Sequence, residues 1–382
     1  MDIKTVYLDY AASTPLDAEV SKVMTDAGRE YYANPSSLHY PGQQSKVVLE
    51  KSRRSIADSI GAESRQIVFT SGGTESNNLA LLGISRAYRS RGNHIITTGV
   101  EHPSVLECCK FLTGQGYRIT YLKVNEQGQI DLNELLSVIS DDTILVSVMM
   151  ANNETGCLLP VREIGRILRP RKIPFHCDAV QAFGKIDFTV QDLNIDLLTL
   201  SAHKIYGPKG IAALYIGDDL PLENIVYGGS QERNRRAGTE NLIAIIGFAA
   251  AVQQLDRNKS EREQIAGLRD HFEDELRRNI PGVQINGGNG PRLFSHSNVF
   301  FPFINGESLM MSLDLQGIAI SVGSACSSGS PRPSHVLTAM GLEPQWVSSS
   351  VRFSLGRFTT AREIDYTLNT LVRLYQERSK VA

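Results

Sequence analysis

Between residues 65 and 215, short apolar runs alternate with helix-forming stretches, and most runs stop at a polar cluster. The runs fall at 66–70, 94–98, 118–124, 143–150, 174–178, 196–201 and 212–216. Ile144-Leu145-Val146 is apolar on both faces, which suits a mostly parallel sheet with helices on each side. Asp131, followed three places later by Glu134, predicts a capping box at a helix start. This alternation specifies a doubly wound α/β domain. In such sheets ligands collect just beyond the carboxyl ends of the strands, so the residues after each run are the candidates for chemistry.

The chain has 382 residues, too many for one compact core, so two domains are expected. A second segment begins near Asp256. There Ile265, Leu268, Phe272 and Leu276 recur at helical spacing, and the helix is expected to end before Pro281-Gly282. Shorter strands, a loop over 323–333 and a helix from about 362 to 377 complete a smaller α+β unit. The longest nearly unbroken apolar run, 242–252, is too short for a bilayer span and reads as a buried helix. The N-terminal residues lack a signal-peptide pattern, and a net charge of −2 gives no pull toward nucleic acid or anionic membrane. These features predict a soluble, cytoplasmic protein. The five cysteines show no Cys-x-x-Cys spacing. His176-Cys177-Asp178 alternates across a strand and cannot easily converge on one ion, so no metal is expected.

Four strand ends carry distinctive groups. Lys204 lies in Ser201-Ala202-His203-Lys204-Ile205-Tyr206-Gly207-Pro208-Lys209-Gly210, where it can form a Schiff base with an aldehyde cofactor. Thr70-Ser71-Gly72-Gly73-Thr74-Glu75 is a glycine turn into a helix, a cradle for phosphate. Asp178 can cap a helix or pair with a protonated ring nitrogen. His102, in Glu101-His102-Pro103, can stack on a flat ring and move protons. Singly, each has a bland reading as a cap or loop residue; on one sheet edge they compose a pyridoxal 5′-phosphate site. Cys326 is flanked by Gly323-Ser324-Ala325 and Ser327-Ser328-Gly329, a composition that predicts an exposed thiol on a mobile loop. Cys108, Cys109, Cys157 and Cys177 read as buried small hydrophobes.

These motifs resemble the cysteine desulfurases of the class-V aminotransferase family, long-loop subgroup. The likeness runs from Leu8-Asp9-Tyr10-Ala11-Ala12-Ser13-Thr14-Pro15 to Val351-Arg352-Phe353-Ser354-Leu355-Gly356-Arg357. It implies the α/β fold of type I pyridoxal-phosphate transferases, with a large cofactor-binding domain over 15–257. A small α+β domain over 1–14 and 258–382 would carry the Cys326 loop. It implies a homodimer in which Lys204 holds the cofactor, His102 stacks on its ring, and Asp178 binds the ring nitrogen. Asn153 and Gln181 would flank the ring. Gly73, Thr74, Ser201 and His203 would hold phosphate, with Thr239 contributed by the partner subunit. Arg352, assisted by Asn34 and Asn153, would bind the carboxylate of L-cysteine. Cys326 would take the sulfur as a persulfide for an iron–sulfur scaffold or a tRNA-thiolation protein. An aminotransferase or selenocysteine lyase of the same fold shares most of these residues, and the Cys326 loop is what separates an aminotransferase from them. Arg233, Arg235 and Arg236 are a solvated face or a subunit contact rather than a nucleic-acid site.

Overall fold

The computed structural model describes residues 5–255, 259–302, 304–323 and 333–379. The strands in chain order are β1 (Val6–Tyr7), β2 (Ile67–Thr70), β3 (His94–Thr98), β4 (Arg118–Leu122), β5 (Thr143–Ser147) and β6 (Phe175–Asp178). They continue with β7 (Leu197–Ser201), β8 (Ala212–Ile216), β9 (Gln284–Ile285), β10 (His296–Phe300), β11 (Ile318–Ala319) and β12 (Ser350–Ser354). β2 to β8 form one seven-stranded sheet in the order β2-β8-β7-β6-β5-β3-β4.

Only β8 runs against the rest: it pairs antiparallel with both β7 and β2, which makes β2 parallel to β7. Thr70, Thr98, Ser147, Asp178 and Ser201 therefore all end on one edge. Alternate residues of each strand enter different cores, as a period of two requires. Ile67, Phe69, Ile96, Val146, Leu198 and Ala213 join one core. Val68, Ile95, Leu145, Leu197 and Leu214 join the other. The helix Leu242–Gln253 is apolar all round because it lies under the helices Ala18–Glu30 and Tyr40–Asp58, within the first of these cores.

A third core gathers Val6 and Leu8 with Phe272, Leu276, Phe301, Phe353, Ile364 and Leu371. It lies between the helices Lys259–Asn279 and Ala361–Ser379 and the antiparallel order β12-β10-β9. β1 pairs with β11, so the start of the chain belongs to this C-terminal core.

Two local expectations need correction. Asp131 caps the helix Leu132–Val138 through the Asn133 amide. Glu134, however, does not reach back to close a capping box; its Oε2 accepts from the Lys123 amide at 3.1 Å. The runs 118–124 and 143–150 also give shorter strands, because Val124 turns to bridge Ile130 and Ala151 to bridge Leu158.

The open edge of β2 is closed by side chains. Arg53 Nη1 donates to Ile67 O (3.0 Å), and Glu232 Oε2 accepts from Phe69 N (2.8 Å). The two side chains pair with each other at 2.6 and 2.8 Å, fully out of solvent. The pair does for the edge strand what a neighbouring strand would do. No helix among the described residues is long and apolar enough to cross a membrane, and no His, Cys, Asp and Glu group among them could hold a metal ion.

Candidate active site

A cleft of about 260 Å³ opens at the carboxyl edge of the sheet. It is lined by Gly73, Thr74, His102, Asn153, Asp178, Gln181, Ser201, His203, Lys204 and Arg352. Most of these come from segments directly after β2, β3, β5, β6 and β7 or from the last residue of one, so strand direction alone brings them together.

Lys204 follows β7 in a single 3₁₀ turn, Ala202–Lys204. Its Nζ donates to the carbonyls of Ala11 and Ala12 at 2.6 and 2.7 Å. Gln181 Nε2 donates to the same Ala11 carbonyl at 2.9 Å. Behind Gln181, Lys185 Nζ donates to Gln181 O at 2.8 Å. Burial, reinforced by the nearby Lys204 charge, pulls the Lys185 amine down to about 7.

Asp178 ends β6. Its Oδ1 accepts from Val180 N (2.9 Å) and its Oδ2 from Asn77 Nδ2 (2.8 Å). Asn77 Nδ2 also donates to Ser104 Oγ (2.8 Å), which bonds His102 Nδ1 (2.8 Å). A continuous polar chain thus orients both Asp178 and His102. Burial lowers the His102 imidazole; Asp178 opposes this, and the Lys204 charge adds to it. Beneath it, Glu101 is fully buried, and burial raises its carboxyl to about 8. Its Oε1 accepts from Thr98 Oγ1 and Met149 N.

The phosphate cradle is the start of the helix Gly73–Ala87. Gly72 precedes it and offers no side-chain cap. A Cβ on Gly73 would lie 3.1 Å from Val180 Cγ2, so glycine lets the turn approach the Asp178 segment. Across the cleft, Ser201 Oγ is buried without a partner among the described residues. An uncapped helix start facing an orphaned hydroxyl fits an anionic group with several acceptor oxygens. With Lys204 for an aldehyde and Asp178 for a protonated nitrogen, the residues present fit pyridoxal phosphate. His203 lies beside them, its imidazole lowered to about 4 by burial and by Lys204.

Arg352, from β12, is 1 % exposed. Its Nη1 donates to Asn153 O (2.8 Å) and its Nη2 to Asp9 Oδ1 (2.7 Å), while Nε has no partner among the described residues.

Two expected residues are not in this cleft within one chain. Asn34 is exposed, and its Oδ1 accepts from Ser36 N at 2.8 Å. Thr239 lines a separate depression with Ser71, Gly210 and Arg236. Cys326 lies outside the described residues. The other cysteines are all buried, and burial raises each of their thiols. None of those four is a nucleophile in this state.

A class-V aminotransferase family model matches residues 6–367. A cysteine desulfurase IscS from Dictyoglomus turgidum is 46% identical over 376 residues, covering 98% of this chain and 95% of that one. The chain belongs to the class-V aminotransferase family, on its cysteine desulfurase branch. A second such relative, from Methanosarcina thermophila, is 44% identical over 98% of this chain and 93% of its own length. Among solved structures, a NifS-like protein superposes with a TM-score of 0.91 at 35% identity, covering 97% of this chain and 99% of that one. As a member of this family the chain has the type I transferase fold and is a pyridoxal-phosphate enzyme.

Asn77, Ser104, Glu101 and Lys185 do not stand out as site residues in the sequence. Asn77 is four residues after Gly73, on the same helix face, and that spacing is a usable signal. Lys185 has no such signal, since only the packing around Gln181 makes it a buried amine.

Proposed function

We propose that this cleft takes sulfur from L-cysteine, releases L-alanine, and leaves the sulfur on Cys326 as a persulfide. The observation that carries this is that Lys204, His102, Asp178 and Arg352 line one cleft together with Gly73 and Thr74 of an uncapped helix start. Lys204 would hold the cofactor's carbonyl carbon, with Asp178 at its ring nitrogen and His102 against its ring. Phosphate would be held by Gly73, Thr74, Ser201 and His203, with Thr239 from the partner of a homodimer. Asn153 and Gln181 would flank the ring. Bound there, pyridoxal phosphate supplies an electron sink beside the substrate α-carbon.

The chain's own groups do the rest. Arg352 grips the substrate carboxylate, assisted by Asn34 and Asn153, and so fixes which substrate bonds face the ring. Lys204 Nζ, once free, moves the α-proton. The Cys326 thiolate attacks the substrate sulfur. A sulfur–sulfur bond forms and the carbon–sulfur bond breaks. Its electron pair stays with carbon, which takes a proton and leaves as alanine. No external oxidant or reductant is required for this transfer. The persulfide would pass to an iron–sulfur scaffold or a tRNA-thiolation protein in the cytoplasm. We place the division of the chain at 15–257 against 1–14 with 258–382; the pairing of β1 with β11 supports it.

The test is incubation with L-cysteine without reductant, followed by intact mass and peptide mapping. Extra sulfur on the Cys326 peptide with one alanine per sulfur is the expected result. Cys326→Ala should keep its cofactor and lose both products. Undiminished turnover in that variant refutes the persulfide route.

A further inference from the structure

Glu154 is fully buried and follows Asn153 on the cleft wall, yet no step of the sulfur transfer uses it. Its backbone is fixed from two directions. The amide donates to Asn152 Oδ1 (2.9 Å), and the carbonyl accepts from Asn298 Nδ2 (3.2 Å). Its carboxyl Oε2 accepts from Ser334 Oγ at 2.5 Å, and Oε1 has no partner among the described residues. An acidic side chain buried on one hydroxyl is unfavourable for folding. Fold stability does not account for this half-satisfied side chain.

What the carboxyl touches does. Ser334 lies just after the segment 324–332 that contains Cys326, and Gly323 lies just before it. A Cβ built on Gly323, whose φ is +60°, would stand 3.9 Å from Glu154 Oε2 and 3.7 Å from Ser334 Cβ. The two flanks of the segment therefore come close at one carboxyl group, which is bonded to Ser334. They are also tied to substrate and cofactor residues. Ser321 exchanges backbone hydrogen bonds with Arg352 at 3.2 and 2.8 Å. His335 Nε2 donates to the Glu101 carbonyl at 2.9 Å, next to His102.

We propose that Glu154 is a positioning residue for sulfur transfer. Through Ser334 it ties the chain just after the 324–332 segment to the wall that carries Asn153, and so governs the rate at which sulfur passes to Cys326. This rests on the reading of Cys326 as the sulfur acceptor.

The test compares parent, Glu154→Gln and Glu154→Ala holoenzymes in one turnover with L-cysteine and no reductant. Alanine and the Cys326 persulfide are followed by rapid quench and mass, and substrate binding by the change in the cofactor's visible band. Glu154→Ala should bind cysteine within about two-fold of the parent and form alanine and persulfide at least ten-fold more slowly. Its cysteine-bound visible band should persist for correspondingly longer. Glu154→Gln, which keeps an acceptor for Ser334, should recover most of the rate. Should Glu154→Ala fail to fold, Ser334→Ala takes its place, with a loss of at least three-fold expected in the same step. An unchanged transfer rate overturns the proposal. So does a loss that appears equally in cofactor content and cysteine binding, since that marks a purely structural role. A parent enzyme that makes alanine without sulfur on Cys326 fails in a different arm. That outcome removes the Cys326 reading, and this inference with it.

Discussion

Glu232→Ala should be among the most destabilising single substitutions in the large sheet. The change removes the partner of an Arg53 guanidinium that is 2 % exposed and leaves the Phe69 amide at the β2 edge without its acceptor. Breaking a buried pair by removing one member costs about 3–5 kcal/mol. An orphaned buried amide adds about 1–3 kcal/mol. Arg53 keeps Glu50 at 3.1 Å, Ile67 O and the face of Phe69, so the total should fall near the lower end. A loss of about 4 kcal/mol is about 8–16 °C in Tm for a domain of this size. Differential scanning calorimetry at fixed cofactor concentration reads it. Glu232→Gln should lose clearly less, because it keeps an acceptor for the amide. The Arg53→Met, Glu232→Leu double variant removes both charges and should return to within about 2 kcal/mol of the parent. A Tm drop under about 3 °C for Glu232→Ala would refute the reasoning. So would a double variant no more stable than Glu232→Ala, because the cost would then not come from the stranded charge.

Other outcomes follow from the same geometry. Arg352→Lys should raise the KM for L-cysteine about 10–100-fold, the worth of one charge-assisted hydrogen bond that a forked guanidinium makes and an ammonium does not. The cofactor's visible band should stay; an unchanged KM in alanine-release kinetics would remove Arg352 from substrate binding. His176 is buried between Ser147 Oγ and Thr199 Oγ1, and burial lowers its imidazole to about 4. The unfolded chain takes up this proton near pH 6.5, the ordinary value. The histidine's contribution is therefore intact above about 6.5 and is lost as pH falls toward 4, at about 1.4 kcal/mol per pH unit. Denaturant unfolding of His176→Gln between about pH 7 and 5 should show an acid slope lower by about one proton. An equal slope in the variant would show that the ring does not carry it.

The sheet was legible in the sequence because most of its strands are buried on both faces and read as short, largely apolar runs between helix-forming stretches. Seven of the strands end within three residues of the expected positions. β1, β9 and β11, each two residues long, carry no period that a sequence reading could detect. The places of Lys204, His102 and Asp178 in the cleft were legible because each lies at or just after a strand end. Glu134 misled because a correct capping spacing does not show that a nearer amide, that of Lys123, competes for the same carboxylate. Glu232 and Glu154 were silent in the sequence for another reason. Their burial depends on partners 179 and 180 residues away, and no local pattern encodes such a distance.

The pairing of β1 with β11 has a consequence for biosynthesis. Residues 9 to 12 supply the Asp9 carboxylate that holds Arg352 and the carbonyls that hold Lys204 and Gln181. They leave the ribosome well before Arg352, which comes 343 positions after Asp9. At roughly 5–20 residues per second that is a wait of about 17–70 s. Until then the nascent chain can build its sheet and expose Lys204, but it cannot close the wall that would grip a substrate. The enzyme is thus assembled in an order that leaves chemistry for last: a chain that stops before residue 352 has Lys204 but not the arginine that lines the same cleft.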